Sequence, residues 1–140
     1  MRIGLLGFGT VGQGVYNLTK PREDMEVAWV LCRRELALPD ARVTHDFLDI
    51  LGDASVDTVV EAIGGLPPAR EYVMAAMQAG KNVVTANKAM MAEFYDELLP
   101  LAQEKGVLLR CTASVGGGIA GSPSWNGSGA LRPSVMWAAL

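Results

Sequence analysis

The sequence predicts an α/β fold in which helices cover both faces of a doubly wound parallel sheet. Apolar runs of strand length alternate with stretches of helical periodicity from residue 3 to residue 111, a pattern typical of parallel strands joined by right-handed crossovers. Glycine-rich or otherwise unusual segments follow these runs, at residues 7–12, 33–34, 64–65, 86–88 and 114–118. Because ligands bind such sheets at the carboxyl ends of the strands, these segments predict one site along a single edge.

Five strands and four helices are predicted from the spacing of apolar residues. The predicted strands are residues 3–6, 27–32, 58–63, 82–85 and 107–111. The predicted helices are residues 10–18, 44–51, 67–79, with Gly80 as its stop, and 93–105. Pro67 and Pro68 open the third helix, because proline is tolerated in a first helical turn. In the first helix, Val11, Val15 and Leu18 fall on one face and are expected to pack together.

Composition favours one globular domain and argues against several partner classes. The chain has 140 residues, of which 50% are hydrophobic and 19% charged, enough for a packed core. A net charge of −3 gives no reason to expect nucleic acid as a partner. There is no apolar run of about 18 residues to span a membrane, and no secretory signal pattern. The oligomeric state is not predicted by any of these features.

Cysteine and histidine usage indicates neither disulfides nor a metal site. Cys32 and Cys111 lie in or at the end of strand-like runs, as expected of buried thiols in a cytoplasmic protein. His45, the one histidine, is expected at the surface or packed in a loop. Residues 120–140 are rich in Gly, Ser and Pro and lack periodicity, so we expect a domain over 1–119 followed by a loop-like or disordered tail.

The glycine-rich segment after the first strand predicts a dinucleotide site. Gly7-Phe8-Gly9-Thr10-Val11-Gly12 matches the G-x-G-x-x-G pattern of the Rossmann fold. The first glycine permits a tight turn, the second lets the backbone approach a pyrophosphate, and the third lets helix and strand pack closely. The following helix offers unpaired N–H groups and a partial positive charge to phosphates. Because the pattern follows a strand and opens a helix, a cofactor site is favoured over a ligand-free turn.

The end of the second strand bears on the choice of cofactor. An acidic residue there would favour NAD, but Arg33 and Arg34 follow the strand instead. Guanidinium groups bind phosphate through paired hydrogen bonds, so the 2′-phosphate of NADP(H) is favoured over the 2′-hydroxyl of NAD(H). Two alternatives remain: both arginines could be ordinary solvated side chains, or the neighbouring Glu35 could bind a 2′-hydroxyl, as in NAD(H).

Lys88 is the candidate catalytic side chain. It follows a central strand after Ala86 and Asn87, on a loop expected to face the cofactor. A lysine there could orient a carbonyl oxygen, hold the carboxamide and ribose, or donate a proton if burial lowered its pKa. By composition alone, a solvated lysine is the simpler interpretation.

Four segments together resemble homoserine dehydrogenase. They are residues 7–14, 59–65, 80–89 and 113–119, and the pairing of Thr-Ala-Asn-Lys with Ala-Ser-Val-Gly-Gly-Gly is far more specific than the glycine pattern. The resemblance covers residues 1–119. It implies the reduction of aspartate semialdehyde to homoserine with NADPH or NADH, on the route to threonine and methionine. It further implies contacts to the dinucleotide from residues 7–12, Ile63, Gly64, Thr85, Asn87, Lys88, Ser114, Val115 and Gly116.

Two departures from the family pattern limit this resemblance. The family holds a sodium ion through backbone carbonyls on the stretch matching Val115, Gly117 and Ile119 and through a glutamate, but Thr112 stands at the glutamate position. Such a site would be weak. The pattern then stops near Ile119, and the substrate domain expected after it, with a second catalytic lysine, is not found.

The resemblance therefore predicts a chain that binds cofactor but turns over substrate poorly. Hydride transfer needs a closed pocket that positions the aldehyde. The alternatives are a non-catalytic dinucleotide-binding module and another Rossmann oxidoreductase, such as an aspartate dehydrogenase-like enzyme; residues 85–88 argue against the latter. Met90 and Met91 are expected among the apolar residues exposed by the missing domain.

Overall fold

A computed structural model of the protein describes residues 1–65 and 67–111. In this part of the chain, strands and helices alternate. The strands are β1 (Arg2–Leu6), β2 (Glu26–Leu31), β3 (Arg42–Thr44), β4 (Thr58–Glu61), β5 (Asn82–Thr85) and β6 (Leu109–Cys111). The helices are α1 (Thr10–Thr19), α2 (Phe47–Leu51), α3 (Ala69–Gln78) and α4 (Lys88–Lys105).

The six strands form one parallel sheet in the order β3-β2-β1-β4-β5-β6. Strands β2 and β3 lie on one side of β1, and strands β4, β5 and β6 follow on its other side. The strand order therefore reverses between β1 and β4, and a crevice lies at the carboxyl ends of these two strands. The order and the parallel pairing confirm the predicted doubly wound Rossmann fold.

Both faces of the sheet are buried, which explains why its strands are continuous apolar runs. Ile3 and Leu5 face a cluster that includes Val15 and Tyr16 of α1. Leu6 faces the opposite cluster, to which α2, α3 and α4 contribute. All three β1 side chains are fully buried, so β1 is the centre of the hydrophobic core.

The sequence prediction missed β3 and began the following helix too early. Residues 42–44 pair with β2, and Thr44 ends that strand rather than opening a helix. The helix begins at Phe47, where the Asp46 carboxylate accepts a hydrogen bond of 2.9 Å from the backbone N–H of Leu48. A strand of three residues is too short to show an alternating pattern, so apolar spacing alone could not reveal it.

The start of α4 was predicted five residues too late. The helix begins at Lys88, because the Asn87 side chain accepts a hydrogen bond of 3.0 Å from the N–H of Met90. Non-helical backbone at Phe94 kinks the helix and interrupts its apolar spacing. Met90 and Met91, expected to be exposed, are instead in the core.

The buried face of α1 differs from the predicted one. Val15 is buried, but Val11 and Leu18 are 45% and 42% exposed. The buried positions are Gly12, Val15, Tyr16 and Thr19. Apolar spacing pointed to the wrong face because Gly12, which packs tightly against Gly7, has no side chain to indicate its burial.

The remaining boundaries agree within two residues. Strand β4 ends at Glu61, strand β6 begins at Leu109, and α3 begins at Ala69, directly after the two prolines. None of the helices in residues 1–65 and 67–111 is long and apolar enough to cross a membrane. Within the same residues, no group of three or more His, Cys, Asp or Glu side chains could hold a metal ion.

The close approach of α1 to the glycine-rich loop predicts opposite effects for two glycine substitutions in one helix. A Cβ at Gly12 would overlap the carbonyl oxygen of Gly7, whereas a Cβ at Gly14 would meet nothing within 4 Å. We expect Gly12→Ala to destabilise the protein by about 1–3 kcal/mol through overpacking. Gly14→Ala should stabilise it by about 0.5–1 kcal/mol, because alanine restricts the unfolded chain. Urea denaturation measures both, and equal stabilities of the two variants would contradict the packing described.

Candidate functional site

A cleft of about 880 Å³ lies at the carboxyl edge of the sheet, at the crevice between β1 and β4. Most of its lining comes from the glycine-rich loop with the start of α1, from the tip of β2, and from the loop between β4 and α3; His45 after β3 and Tyr72 of α3 complete it. Eight of the predicted site residues line this cleft: Gly7, Phe8, Gly9, Thr10, Arg33, Arg34, Ile63 and Gly64. The loop predicted to bind the pyrophosphate and the two arginines predicted to bind the 2′-phosphate therefore line the same cleft.

Two glycines of the loop are required by packing within the protein itself. Gly7 has φ +100°, and a Cβ there would lie 2.9 Å from the carbonyl oxygen of Ala62. Its N–H donates a hydrogen bond of 2.8 Å to the carbonyl of Leu31, which ties the loop to β2. Gly12 packs against Gly7, as described above. Neither glycine needs a ligand to explain it.

Gly9 differs, because a Cβ there would meet nothing within 4 Å. It lines the cleft and is the N-cap residue of α1, with φ −85° and no side-chain capping hydrogen bond. The first N–H groups of α1 therefore have no side-chain acceptor at this cap. Open space beside unpaired N–H groups at a helix N-terminus suits a bound anionic group such as a pyrophosphate.

The two arginines after β2 have different environments. The Nη2 of Arg34 donates a hydrogen bond of 2.7 Å to the carbonyl oxygen of Phe8, which also accepts a bond of 3.2 Å from Gln13. Arg34 thus holds the glycine-rich loop against the tip of β2. Arg33 is exposed and lines the same cleft. Nothing in the sequence distinguished the two arginines. In the structure, Arg34 contacts the glycine-rich loop, whereas the exposed side chain of Arg33 is available to a ligand.

His45 lines the cleft, although it was predicted only as a surface or loop-packing residue. It does pack on a loop: its Nδ1 lies 2.7 Å from the carbonyl oxygen of Cys32, and its Nε2 lies 3.3 Å from a carboxylate oxygen of Glu35. The hydrogen bond to Cys32, and secondarily the one to Glu35, raises the pKa of His45 above its usual value. His45 directly follows β3, and the carboxyl ends of parallel strands border the cleft. Predicting β3 would therefore have placed His45 at the cleft.

Glu61 is a residue of this edge that the sequence analysis did not single out. Its side chain is fully buried at the end of β4. One carboxylate oxygen accepts hydrogen bonds of 2.9 and 3.0 Å from the N–H groups of Ile63 and Gly64. The other accepts the hydroxyl of Thr85. An acidic residue within the apolar run of residues 59–63 was the available signal, because a buried carboxylate needs such donors.

Thr85 and Asn87 continue this network and are not among the residues that line the cleft. Both are buried. Thr85 accepts a hydrogen bond of 2.9 Å from the N–H of Asn87, and the Asn87 amide donates to the carbonyl of Gly65. The two side chains therefore join the loop after β4 to the loop after β5. They hold the loop after β4, which lines the cleft, without lining the cleft themselves.

Lys88 is exposed on the first turn of α4, not on a loop. It lies at the carboxyl end of β5 but is not among the cleft-lining residues. Burial raises the pKa of the Cys111 thiol, and the nearby charge of Lys88 opposes that rise. Lys88 is thus beside the ends of β5 and β6, on the side of the sheet edge away from the arginines.

The other predicted site residues divide into two groups. Val11 is exposed on α1 and Gly12 is buried beneath the loop, and neither is among the cleft-lining residues. The second group lies outside the described residues and comprises Ser114, Val115, Gly116, Gly117 and Ile119, with Thr112. The nicotinamide-proximal contacts and the sodium site stay predictions.

The network around Glu61 predicts a large difference between two substitutions at Thr85. Thr85→Val removes the hydroxyl and leaves one buried oxygen of Glu61 without its donor, which we expect to cost about 1–3 kcal/mol. Thr85→Ser keeps the hydroxyl and should retain most of that stability. Denaturant unfolding measures both effects. Equal losses in the two variants would show that the methyl group, and not the hydrogen bond, matters here.

Comparisons with known proteins agree with this architecture. A family model described as "Homoserine dehydrogenase, NAD binding domain" matches residues 7–111. The homoserine dehydrogenase of Bacillus subtilis (strain 168) is 38% identical over 133 residues, which span 85% of this chain and 31% of that protein. The chain therefore spans about a third of the length of this curated relative.

Solved structures are similar over the same region. The crystal structure of a homoserine dehydrogenase from Thiobacillus denitrificans superimposes with a TM-score of 0.74 and 38% identity, covering 85% of this chain and 31% of that one. The S. aureus homoserine dehydrogenase at pH 7.0 gives a TM-score of 0.72 and 31% identity, covering 79% and 32%. This chain belongs to the family of homoserine dehydrogenase NAD-binding domains.

Proposed function

We propose that this chain binds a nicotinamide dinucleotide in the cleft, with the pyrophosphate against the glycine-rich loop. The open space at Gly9, beside the uncapped start of α1, is the observation that carries this proposal. Gly7 and Gly12 are explained by internal packing, but Gly9 is exposed and a side chain would fit there without any clash. A backbone that must approach a pyrophosphate closely accounts for glycine at this position.

We further propose that NADP(H) is preferred over NAD(H). Arg33 is exposed at the cleft and able to bind a 2′-phosphate, whereas Arg34 also contacts the carbonyl of Phe8. Glu35, the residue that would favour NAD(H), lies next to His45. Two guanidinium groups at the strand tip outweigh this single carboxylate as an electrostatic environment for phosphate.

The reaction we propose for the full protein is that of homoserine dehydrogenase, in which the cofactor supplies the hydride for the reduction of aspartate semialdehyde. Lys88, at the carboxyl end of β5, would hold the nicotinamide end or orient the carbonyl oxygen of the substrate. Ser114, Val115 and Gly116 would lie at the same end. The matched family region is a cofactor-binding domain, so we expect cofactor binding to be measurable without turnover.

Cofactor binding is tested by titrating the protein with NADPH and NADH while following cofactor fluorescence. We expect saturable binding that Gly9→Ala weakens by about tenfold or more, because the new methyl group occupies space needed by the pyrophosphate. The matched control is Gly14→Ala in the same helix, which should bind normally. If the Gly9 variant binds as tightly as the unchanged protein, the pyrophosphate does not lie at this loop.

Cofactor preference is tested by replacing the two arginines separately. Arg33→Ala should weaken NADPH binding by about 10- to 100-fold, since it removes hydrogen bonds between charged groups, and should leave NADH binding nearly unchanged. Arg34→Ala should weaken both cofactors, because the glycine-rich loop loses its contact with the tip of β2.

Arg42→Ala is the control for this pair, since Arg42 lies over the ring of Trp29 and is not among the cleft-lining residues. Equal effects of Arg33→Ala on NADPH and NADH would contradict the proposed preference.

A further inference from the structure

His45 and Glu35 form a titratable pair beside the arginines, at the end of β3 and the tip of β2. We propose that this pair selects the cofactor by its protonation state: the His45 imidazolium recognises the 2′-phosphate, and Glu35, released when His45 is neutral, accepts the 2′-hydroxyl. The proposal rests on dinucleotide binding in the cleft, and it adds a third cationic side chain to the two arginines.

The two contacts of the His45 ring are those that an imidazolium would make. Nδ1 lies 2.7 Å from a backbone carbonyl oxygen, that of Cys32, and Nε2 lies 3.3 Å from a carboxylate oxygen of Glu35. Both partners are acceptors. A neutral imidazole has one N–H group, so only the protonated ring can donate to both.

The pairing of β3 with β2 brings this ring to the carboxyl end of β2, where the ribose of the cofactor is expected to bind. Leu31 of β2 pairs with Thr44 of β3, and the N–H of Cys32 donates a hydrogen bond of 3.2 Å to the carbonyl of Thr44. His45 follows directly and lines the same cleft as Arg33 and Arg34. Its Nδ1 contact with the backbone anchors the ring, so Nε2 is the atom free to change partners.

The present partner of Nε2 is easily displaced. The Glu35 side chain is 96% exposed and the His45 side chain 53% exposed. Exposed ion pairs contribute little to stability, so exchanging the Glu35 carboxylate for a phosphate costs little. A phosphate monoester carries more charge than a carboxylate and offers three acceptor oxygens, which favours that exchange while the ring is protonated.

The other charged groups nearby leave His45 as the group whose titration controls the exchange. On the β2 side they are the guanidinium groups of Arg33 and Arg34. On the α2 side, Asp46 caps the helix and Asp49 accepts the Thr44 hydroxyl, so both carboxylates have other partners. The Cys32 thiol and Tyr72 from α3 also line the cleft.

The sign of the pH dependence follows from this arrangement. The hydrogen bond to Cys32 and the one to Glu35 raise the pKa of His45, so the imidazolium persists to higher pH than in a free histidine. As pH rises through that pKa, the ring loses its proton and with it the attraction for the 2′-phosphate. Glu35 then has no cationic partner and accepts a ribose hydroxyl, so the preference for NADP over NAD falls.

The first experiment uses the fact that His45 is the only histidine of the chain. Proton–carbon NMR of its ring gives the pKa of His45 directly, in the unmodified protein. Adenosine 2′,5′-bisphosphate should raise that pKa by about half a pH unit or more, because the phosphate stabilises the imidazolium. Adenosine 5′-monophosphate should not raise it. An unchanged pKa with saturating bisphosphate, or an equal rise with both ligands, would overturn the proposal.

The second experiment measures NADP⁺ and NAD⁺ affinities by calorimetry between about pH 6 and about pH 8.5, a range that spans histidine titration. The ratio favouring NADP⁺ should fall about tenfold across this range in the unchanged protein. In His45→Gln, the ratio of NADP⁺ to NAD⁺ affinity should change much less with pH. Because the 2′-phosphate of free NADP⁺ titrates identically in both experiments, a difference between the two proteins is attributable to His45. Glu35→Gln should tighten NADP⁺ binding and weaken NAD⁺ binding.

The outcomes separate this inference from the proposed function. One outcome is that both cofactors bind while the ratio of NADP⁺ to NAD⁺ affinity varies with pH equally in the unchanged protein and in His45→Gln. That result would contradict cofactor selection by His45 and Glu35 and would leave the proposed dinucleotide site unaffected. If neither NADP⁺ nor NAD⁺ binds at any pH, the dinucleotide site itself is wrong, and the selector fails with it.

Discussion

The buried carboxylate of Glu61 is the interaction on which the functional edge of this domain depends. A carboxylate with no exposed surface is stable only where donors surround it, and here the donors come from two different loops. The loop after β4 supplies backbone N–H groups, and Thr85 at the end of β5 supplies a hydroxyl. Through Asn87, the same network caps α4 and so determines where Lys88 lies. One buried charge thus connects a wall of the cleft to the candidate catalytic lysine.

The opposite wall is built by close packing rather than by charge. Gly7 and Gly12 let the loop, α1 and the segment after β4 approach to distances that a side chain would prevent. Arg34 and Gln13 then hold the loop through the carbonyl of Phe8. The shape of this wall is therefore determined by contacts within the protein itself.

Strand β3 contributes a further side chain to the cleft, although the strand has only three residues. By pairing with β2 it brings His45 next to the arginines, from a position ten residues or more along the chain. The part of the cleft proposed to receive the ribose of the cofactor is thus lined by side chains from two strand ends. A single strand tip would present only the arginines and Glu35.

The sequence by itself determined the fold class, the glycine-rich loop and the family, because these depend on local patterns: apolar periodicity, glycine spacing and short motifs such as residues 85–88. Tertiary structure alone decided which side chains work together. It buried Thr85 and Asn87, gave Arg34 a contact with the loop, exposed Val11, and brought His45 into the cleft. The physical reason is that burial and hydrogen bonding join residues distant in sequence, and Glu61 and Thr85 meet only when β4 and β5 pair.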